Sequence, residues 1–446
     1  MPSSRFSYAS EQLRDIAASV LDYAKTRGAT SAESEVSEGF GQTVTVRRGE
    51  VETIEYNRDK GIAVTTYVGQ KRGHASSSDF SPQAIRDTVD AALSIASFTA
   101  PDDAAGLADP DLLAREFPDL DLHHQWDLPV ERAIELAKAA EDAGFAVSGS
   151  ISNSEGATVT TQESQFYYGN SLGFLSGYPN ARHGIWCSLI AGKGDAMQRD
   201  DWYETSRDPL DLPPPATVGR HAGERAVRRV GARKVPTTQA PVLFEAPIAS
   251  SLLGHFVSAV SGGSLYRKSS FLLDSLGQQV FAPLVQIRDL PHIPKGLASS
   301  AFDEEGVGTR SREIVRDGVL EGYFLSSYSA RKLGMESTGN AGGNHNLVLE
   351  DTGLDFEGLL AKLGNGLLVT ELMGQGVNAV TGDYSRGAAG FWVENGKIAY
   401  PVEEITIAGN LKEMFKAIAG IGNDVSHRGS RQCGSILLER MTIAGD

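Results

Sequence analysis

The chain has 446 residues, 41% hydrophobic and 22% charged, a balance that excludes a disordered or fibrous polypeptide. Its length exceeds one ordinary core of ~100–200 residues, so two or three domains are expected. Lys+Arg 41 against Asp+Glu 57 gives a net charge of −16, which repels phosphate backbones and argues against nucleic acid as a partner. No stretch of ~18 apolar residues occurs, so no membrane span is expected. The opening MPSSRFSYASEQLRD lacks the apolar centre of a signal peptide. Two cysteines, Cys187 and Cys433, are too few for a disulfide framework or a cysteine-based zinc site. Together these features point to a soluble protein of a reducing compartment, most simply the cytoplasm.

From Ser10 to Arg27 apolar residues recur at helical spacing (Leu13, Ile16, Ala17, Val20, Leu21, Ala24), with Gly28 as the stop. The period then changes to two. Residues 33–38, 43–48, 51–57, 61–68 and 71–77 alternate apolar with polar, and Gly41, Gly49, Gly61 and Gly69 punctuate them as turns of an antiparallel meander. Ser81 as N-cap and Pro82 at the first helical position start a second helix running to about Phe98. Residues 99–120 are rich in Pro, Asp and Ala and mark a boundary. A helix over about 129–144 follows, then strand candidates at 157–163, 165–168, 172–177 and 183–191. A second break at 210–216 and a basic helix from Gly219 to Val230 precede the last region. There a short strand from Val242 to Glu245 and a helix from about Pro247 to Val260 lead into Gly-rich, strand-dominated sequence. Arg316-Asp317-Gly318 reads as a hairpin turn. The expected fold class is α+β: an N-terminal antiparallel meander flanked by helices (1–110), a central α/β segment (120–232) and a β-rich C-terminal domain (238–446).

Gly169-Asn-Ser171-Leu-Gly173 has the G-x-S-x-G spacing of a nucleophile elbow, but β-rich residues follow where that chemistry needs a helix, so a hairpin turn is expected. Ser329-Ala-Arg-Lys332 has the S-x-x-K spacing, without companion motifs, and reads as a helix start with a solvated lysine. No phosphate-binding loop is present. The nine histidines are scattered, and His123 and His124 are adjacent, so their side chains diverge. No metal site is expected from this chain alone. Asp383, Tyr384, Ser385 and Arg386, set between Gly382 and Gly387, are equally compatible with a groove lining and with a polar loop. Asn344 and His345, directly after the Gly339–Gly343 connection, join them as substrate-groove or interface candidates.

The runs GGSLYRKSSFLLDSLG (262–277), KGLASSAFDEEGV (295–307), SSYSARKLG (326–334), LVTELMGQGVNAVTGDYSRGAAGFWVENG (368–396), EITIAGNLKEMF (404–415) and QCGSILL (432–438) resemble the TldD/TldE family, and within it the TldE branch, also called PmbA. RRGEVETIEYNRDKGIAVTTYVGQKRGHASSSD, near the N-terminus, is similar too. The resemblance implies a cytoplasmic zinc metalloprotease made of a TldD and a TldE subunit, acting on unfolded peptides such as an antitoxin or a peptide-antibiotic precursor. In the TldD branch an H-E-x-x-x-H helix and a distant cysteine hold the metal. Registered on that motif, Gly254 and Ala259 stand at the two histidine positions and His255 at the glutamate. The resemblance therefore implies no catalytic and no metal-binding residue in this chain, zinc in the TldD-like partner, and a heterodimer with that partner, with a homodimer open for the isolated chain. His255 is expected to be structural, packed on its helix and hydrogen-bonded locally. Two other readings stay open: an independently active metallohydrolase using His255, Cys433 and undetermined carboxylates, and a regulator that binds nucleic-acid enzymes.

Overall fold

The computed structural model describes residues 5–445; Met1–Ser4 of the polar N-terminal stretch, and Asp446, lie outside the described residues. Helix α1 (Ser10–Thr26) buries Leu13, Ala17, Val20 and Ala24, the stripe expected from the 3.6-residue period, and Gly28 follows it with φ +94°. Strands β1 (Ser31–Arg47), β2 (Glu50–Val68) and β3 (Lys71–Ser77) form the meander. Helix α2 (Pro82–Phe98) starts where expected, with Ser81 Oγ accepting the Ala84 N–H. After an irregular stretch come α3 (Val130–Phe145), β4 (Ile151–Asn170), β5 (Leu175–Ser176), β6 (Pro179–Ala191), β7 (Gln198–Ser206) and α4 (Pro215–Arg228).

The meander has three strands where five were expected. Gly41 and Gly61 do not turn the chain: they pair in mid-strand, Gly41 with Asn57 and Gln162, and Gly61 with Ser37. Only Arg48-Gly49 (φ 54° and 76°) and Gly69 (φ 59°) adopt the left-handed conformation a tight turn needs. Likewise the candidates 157–163 and 165–168 are one strand, β4, because Ser164 pairs across to Gly39 without interruption.

β4 lies antiparallel along β1 from Asn170↔Glu33 to Ala157↔Val46, giving a single sheet of order β3-β2-β1-β4-β6-β7, with β5 beside β4. The sheet thus crosses residues 99–120 without a break. Val36, Val44 and Val46 share one face of β1. Val36 packs under α1 and α2 with Leu13, Val20 and Val89, while Val44 and Val46 pack under α3 and α4 with Ala140, Leu189 and Val218. At the α1/α2 end the opposite face meets the C-terminal half. The 99–120 segment straps across that junction: Arg331 Nη1 donates to the carbonyls of Ala104 (3.1 Å) and Gly106 (3.2 Å), and Tyr328 Oη and Lys332 Nζ hold Asp102 at 2.7 Å each.

The C-terminal half begins with β8 (Thr238–Phe244) and α5 (Ala246–Ala259), continues through α6 (Gly262–Tyr266), β9 (Ile287–Leu290), β10 (Arg312–Arg316), β11 (Val319–Leu320), α7 (Ser327–Leu333), β12 (Asn346–Leu349) and α8 (Phe356–Leu363), and ends with β13 (Gly366–Met373), β14 (Asp383–Glu394), β15 (Lys397–Asn410), α9 (Leu411–Lys416), β16 (Ile418–Ile421), β17 (Arg431–Gln432) and β18 (Ile436–Ala444). Asp317 (φ 50°) and Gly318 (φ 77°) make the expected two-residue hairpin between β10 and β11. One sheet runs β15-β14-β13-β8-β18-β16, and β15 also pairs with β18, so five of its strands close into a ring. A second sheet runs β11-β10-β9-β12-β17. Their shared core includes Phe244, Phe256, Phe281, Ile287, Tyr384 and Phe415. The fold is α+β.

Candidate functional site

Helix α5 is anchored at its start. Glu245, its N-cap residue, receives Arg225 Nη1 on both carboxylate oxygens at 2.9 Å, and the Ala246 N–H donates to Ser435 Oγ. Its apolar face (Leu252, Leu253, Phe256) enters the core, with Phe256 edge-on to Phe281 at 4.9 Å. Gly254 and His255 are left on the half-buried side, towards β14 and β17.

Along β14 side chains alternate, and the alternation splits the Asp383–Arg386 cluster. Asp383 and Ser385 are exposed, whereas Tyr384 is buried and Arg386 half-buried. Asp383 is a loop fastener: Thr381 Oγ1 and Asn410 Nδ2 donate to it, and these bonds hold its carboxyl below the ordinary value. Tyr384 meets His255 edge to face at 6.0 Å between ring centroids. Burial pushes the Tyr384 phenol up to about 12, with Arg386 pulling the other way. Burial, then the charges of Arg386 and Arg431, lower His255. His255 Nε2 and Tyr384 Oη are both buried without a hydrogen-bond partner among the described residues. The local hydrogen bond expected for His255 is therefore not made. The reason is geometric: the ring is turned onto the Tyr384 edge, and the charges around it are guanidinium groups.

Arg431, in the short strand β17, completes the group. A Cβ on Gly254 would lie 2.5 Å from Arg431 Nη1 and 3.2 Å from its Cζ, so the guanidinium rests on the bare backbone of α5. Cys433, two residues on, is fully buried. Burial and Asp424 push its thiol up to about 12, against the pull of Arg431. Sequence reasoning missed Arg431, whose role depends on the parallel pairing Leu347↔Arg431 between β12 and β17.

Asn344 and His345 lie on the other side of that pairing. Asn344 Nδ2 donates to Ser430 O (3.3 Å), next to Arg431. His345 is clamped: its backbone N–H and its Nδ1 donate to the two oxygens of buried Asp289, at 2.8 and 3.0 Å. Both residues line a cavity of about 340 Å³ with Glu35, Phe166, Tyr168 and Asp303. Glu304, Ala341 and Gly342 are shared with a larger cavity of about 1030 Å³ between the N-terminal sheet, the strap and α7. Acidic groups crowd this junction. Burial, then Glu305, pushes Glu33 up to about 7, and burial pushes Asp303 up to about 6 although three backbone N–H groups donate to it. These acids escaped sequence reasoning because their neighbours come from β1 and from the distant 303–305 loop. The candidates thus fall in two neighbouring places, Tyr384 and Arg386 beside α5, Asn344 and His345 at the interdomain cavity.

The hairpin turn at Ser171 and the helix start at Ser329 are found as expected, whereas Lys332 is ion-paired rather than merely solvated. Ser171 sits in the β4–β5 turn, where its Oγ accepts the Ala32 N–H. Ser329 bonds within the α7 cap to Ser326, and Lys332 is spent on Asp102.

Models of the first, central and C-terminal domains of PmbA/TldA metallopeptidases match residues 32–96, 123–230 and 237–445. The chain belongs to the PmbA/TldE family. It is 51% identical to the metalloprotease PmbA of Escherichia coli O157:H7 over 93% of this chain and 92% of that one. It is 47% identical to a metalloprotease PmbA homolog of Haemophilus influenzae, covering 98% and 97%. A crystal structure of a putative modulator of DNA gyrase from Bacteroides thetaiotaomicron superposes with a TM-score of 0.93 at 28% identity, covering 98% and 99%. The chain is accordingly of the TldD/TldE protease type, with metalloproteases as its relatives.

The family implies a metal, and the residues on α5 do not fit one. Gly254 and Ala259 carry no donor atom, and the Ala259 carbonyl already accepts Ser270 Oγ at 2.6 Å. A guanidinium lies over Gly254, and its charge repels a second cation. Among the described residues no group of three His, Cys, Asp or Glu side chains is arranged to hold a metal ion.

Proposed function

We propose that this PmbA/TldE chain is the non-catalytic subunit of a TldD/TldE-type peptidase complex, completing the chamber and holding peptide substrate in extended form. Zinc and the water-activating carboxylate would come from a TldD-like partner subunit. The observation that carries this reading is the Arg431 guanidinium seated on Gly254, because a zinc hydrolase needs three converging donors and an open position where this chain offers a cation. An independent metallohydrolase built on His255 and Cys433 is disfavoured by the same contact and by the buried, neutral thiol.

Two further features support a peptide-holding role. Residues 50–60 of β2 pair with β1 alone, since β3 begins its pairing only at Ile62, and Val51, Ile54 and Tyr56 are exposed there. Such an edge can add an extended peptide by backbone hydrogen bonds, with little dependence on sequence. The substrates proposed are unfolded peptides, including antitoxin and peptide-antibiotic precursors. Among the described residues no helix is long and apolar enough to cross a membrane. Both cysteines are free and buried, which suits a cytoplasmic location.

The test is co-expression with a TldD-like subunit, then peptidase assay of each chain alone and of the pair, with elemental analysis of this chain. Activity confined to the pair, with no stoichiometric zinc in the isolated chain, is expected. About one zinc per isolated chain, removed by His255→Ala, overturns the proposal.

A further inference from the structure

The group beside α5 has a property that a mere packing cluster lacks. It gathers two guanidinium groups and two buried polar atoms, and among the described residues no carboxylate pairs with either cation. Arg386 has one long contact, Nε to Met373 O at 3.5 Å, and among the described residues neither Arg386 nor Arg431 forms an ion pair. This is unusual in a chain of net charge −16. His255 and Tyr384 can each donate a hydrogen bond, and both leave that capacity unused in buried surroundings, Tyr384 being only 1% exposed. A buried polar atom without a partner costs about 1–3 kcal/mol, so each calls for a water, an ion or a ligand, and here two of them lie beside two guanidinium groups without ion pairs. Asp424 faces the same place through Cys433, but Ser435 N–H and Oγ occupy its two oxygens at 2.9 and 2.6 Å.

We infer that Arg386, Arg431, His255 and Tyr384 form a binding site for a carboxylate. The half-buried guanidinium groups give it charge and planar donor forks, and the imidazole and the phenol give it a buried floor. Gly254 is part of the design, because any side chain there would occupy the space of the Arg431 guanidinium. The site itself stands on these contacts alone. That its carboxylate belongs to a peptide, as chain terminus or acidic side chain, rests on the peptide-holding role proposed above.

The experiment uses the full chain with labelled histidine, the His255 signal being assigned through His255→Gln. Three probes separate the sources: N-acetyl-triglycine with a free terminal carboxylate, its neutral amide, and N-acetyl-Gly-Glu-Gly amide, whose carboxylate is on a side chain. The His255 imidazole signals are expected to move saturably, in the millimolar range, with one or both carboxylate probes and not with the neutral amide. Arg386→Ala and Arg431→Ala should each weaken that binding about tenfold or more, the loss expected for one charge-assisted hydrogen bond. Arg431→Lys should retain part of it, which covers the case of an alanine variant that fails to fold. Equal shifts with acid and amide, or no saturable shift, overturn the site. So does tighter binding of inorganic phosphate than of either carboxylate. Binding intact in a chain that proves independently active would overturn the subunit proposal and leave the site standing.

Discussion

Two glycine-to-alanine changes, one in α4 and one in α5, test how the site is built. Both remove a helix-interior glycine, and each gains ~1 kcal/mol of helix propensity. They differ in what the new methyl group meets. At Gly219 it would lie 1.7 Å from the Ala140 carbonyl oxygen and 2.5 Å from its carbon, both backbone atoms of α3. Van der Waals contact then requires the two helices to part by about 1.5 Å, stripping packing from Ala137, Ala140, Ala222 and Leu189. Overpacking of this kind costs about 1–3 kcal/mol, here the upper end, so Gly219→Ala should destabilise by about 2 kcal/mol net. At Gly254 the methyl group meets only the tip of Arg431, 2.5 Å from Nη1. A half-buried guanidinium without an ion pair can swing away, so Gly254→Ala should be neutral or stabilising by up to ~1 kcal/mol. Urea unfolding followed by circular dichroism measures both, each against the unaltered chain. The functional consequence separates them the other way: Gly254→Ala displaces Arg431 and should weaken carboxylate binding, which Gly219→Ala leaves alone. A Gly254→Ala chain as unstable as Gly219→Ala would refute the picture of a yielding guanidinium on α5.

Other outcomes follow from the titrating groups. Glu33 is raised in the folded chain to about 7 from its ordinary 4.5, so the folded state binds the extra proton between those values and stability falls as pH rises through them. Glu33→Gln should therefore stabilise at pH 8 by up to about 3.5 kcal/mol, from ~1.4 kcal/mol for each pH unit between about 4.5 and 7, and change little at pH 4; thermal melts at both pH values check it. Burial pushes both thiols up to about 12, so Cys187 and Cys433 should resist iodoacetamide at pH 8 in the native chain and react once it is unfolded, as mass spectrometry would show. On the proposed reading, which gives this imidazole a binding role and no chemical one, His255→Ala should raise KM of the assembled complex and leave kcat at saturating substrate within a few-fold. A drop of ~10³-fold with assembly intact would assign chemistry to this half.

The helices were legible wherever local chemistry decides them. The stripe of α1, the Ser81-Pro82 start of α2 and the Asp317-Gly318 hairpin carry their signals within a few residues. The long strands were not. Gly41 and Gly61 look like turns beside Gly49 and Gly69, yet glycine turns a chain only where positive φ is required. In β1 partners on both sides hold Gly41 extended, and in β2 the β1 register holds Gly61 opposite Ser37. For Gly41 half of that information lies in β4, more than a hundred residues away along the chain.

The site was half legible for the same reason. A polar cluster between glycines drew attention to 383–386, and period-two alternation alone puts Tyr384 and Arg386 on one face and Asp383 and Ser385 on the other. What makes the first pair significant is long-range. His255 arrives on α5 and Arg431 on β17, and their meeting with Arg386 gathers two guanidinium groups that have no counter-ion among the described residues. The surrounding titrations sharpen this. Burial keeps the Cys433 thiol and the Tyr384 phenol protonated, and burial with the two arginines keeps His255 neutral. All three neighbours are thus uncharged near pH 7, and none of them offsets the positive charge. A cluster selected only to fill space would pair its arginines or replace them with apolar side chains, since unpaired charge in half-buried surroundings is costly. Retaining two cations beside two unsatisfied polar atoms is the arrangement expected of a site whose missing member is an anion.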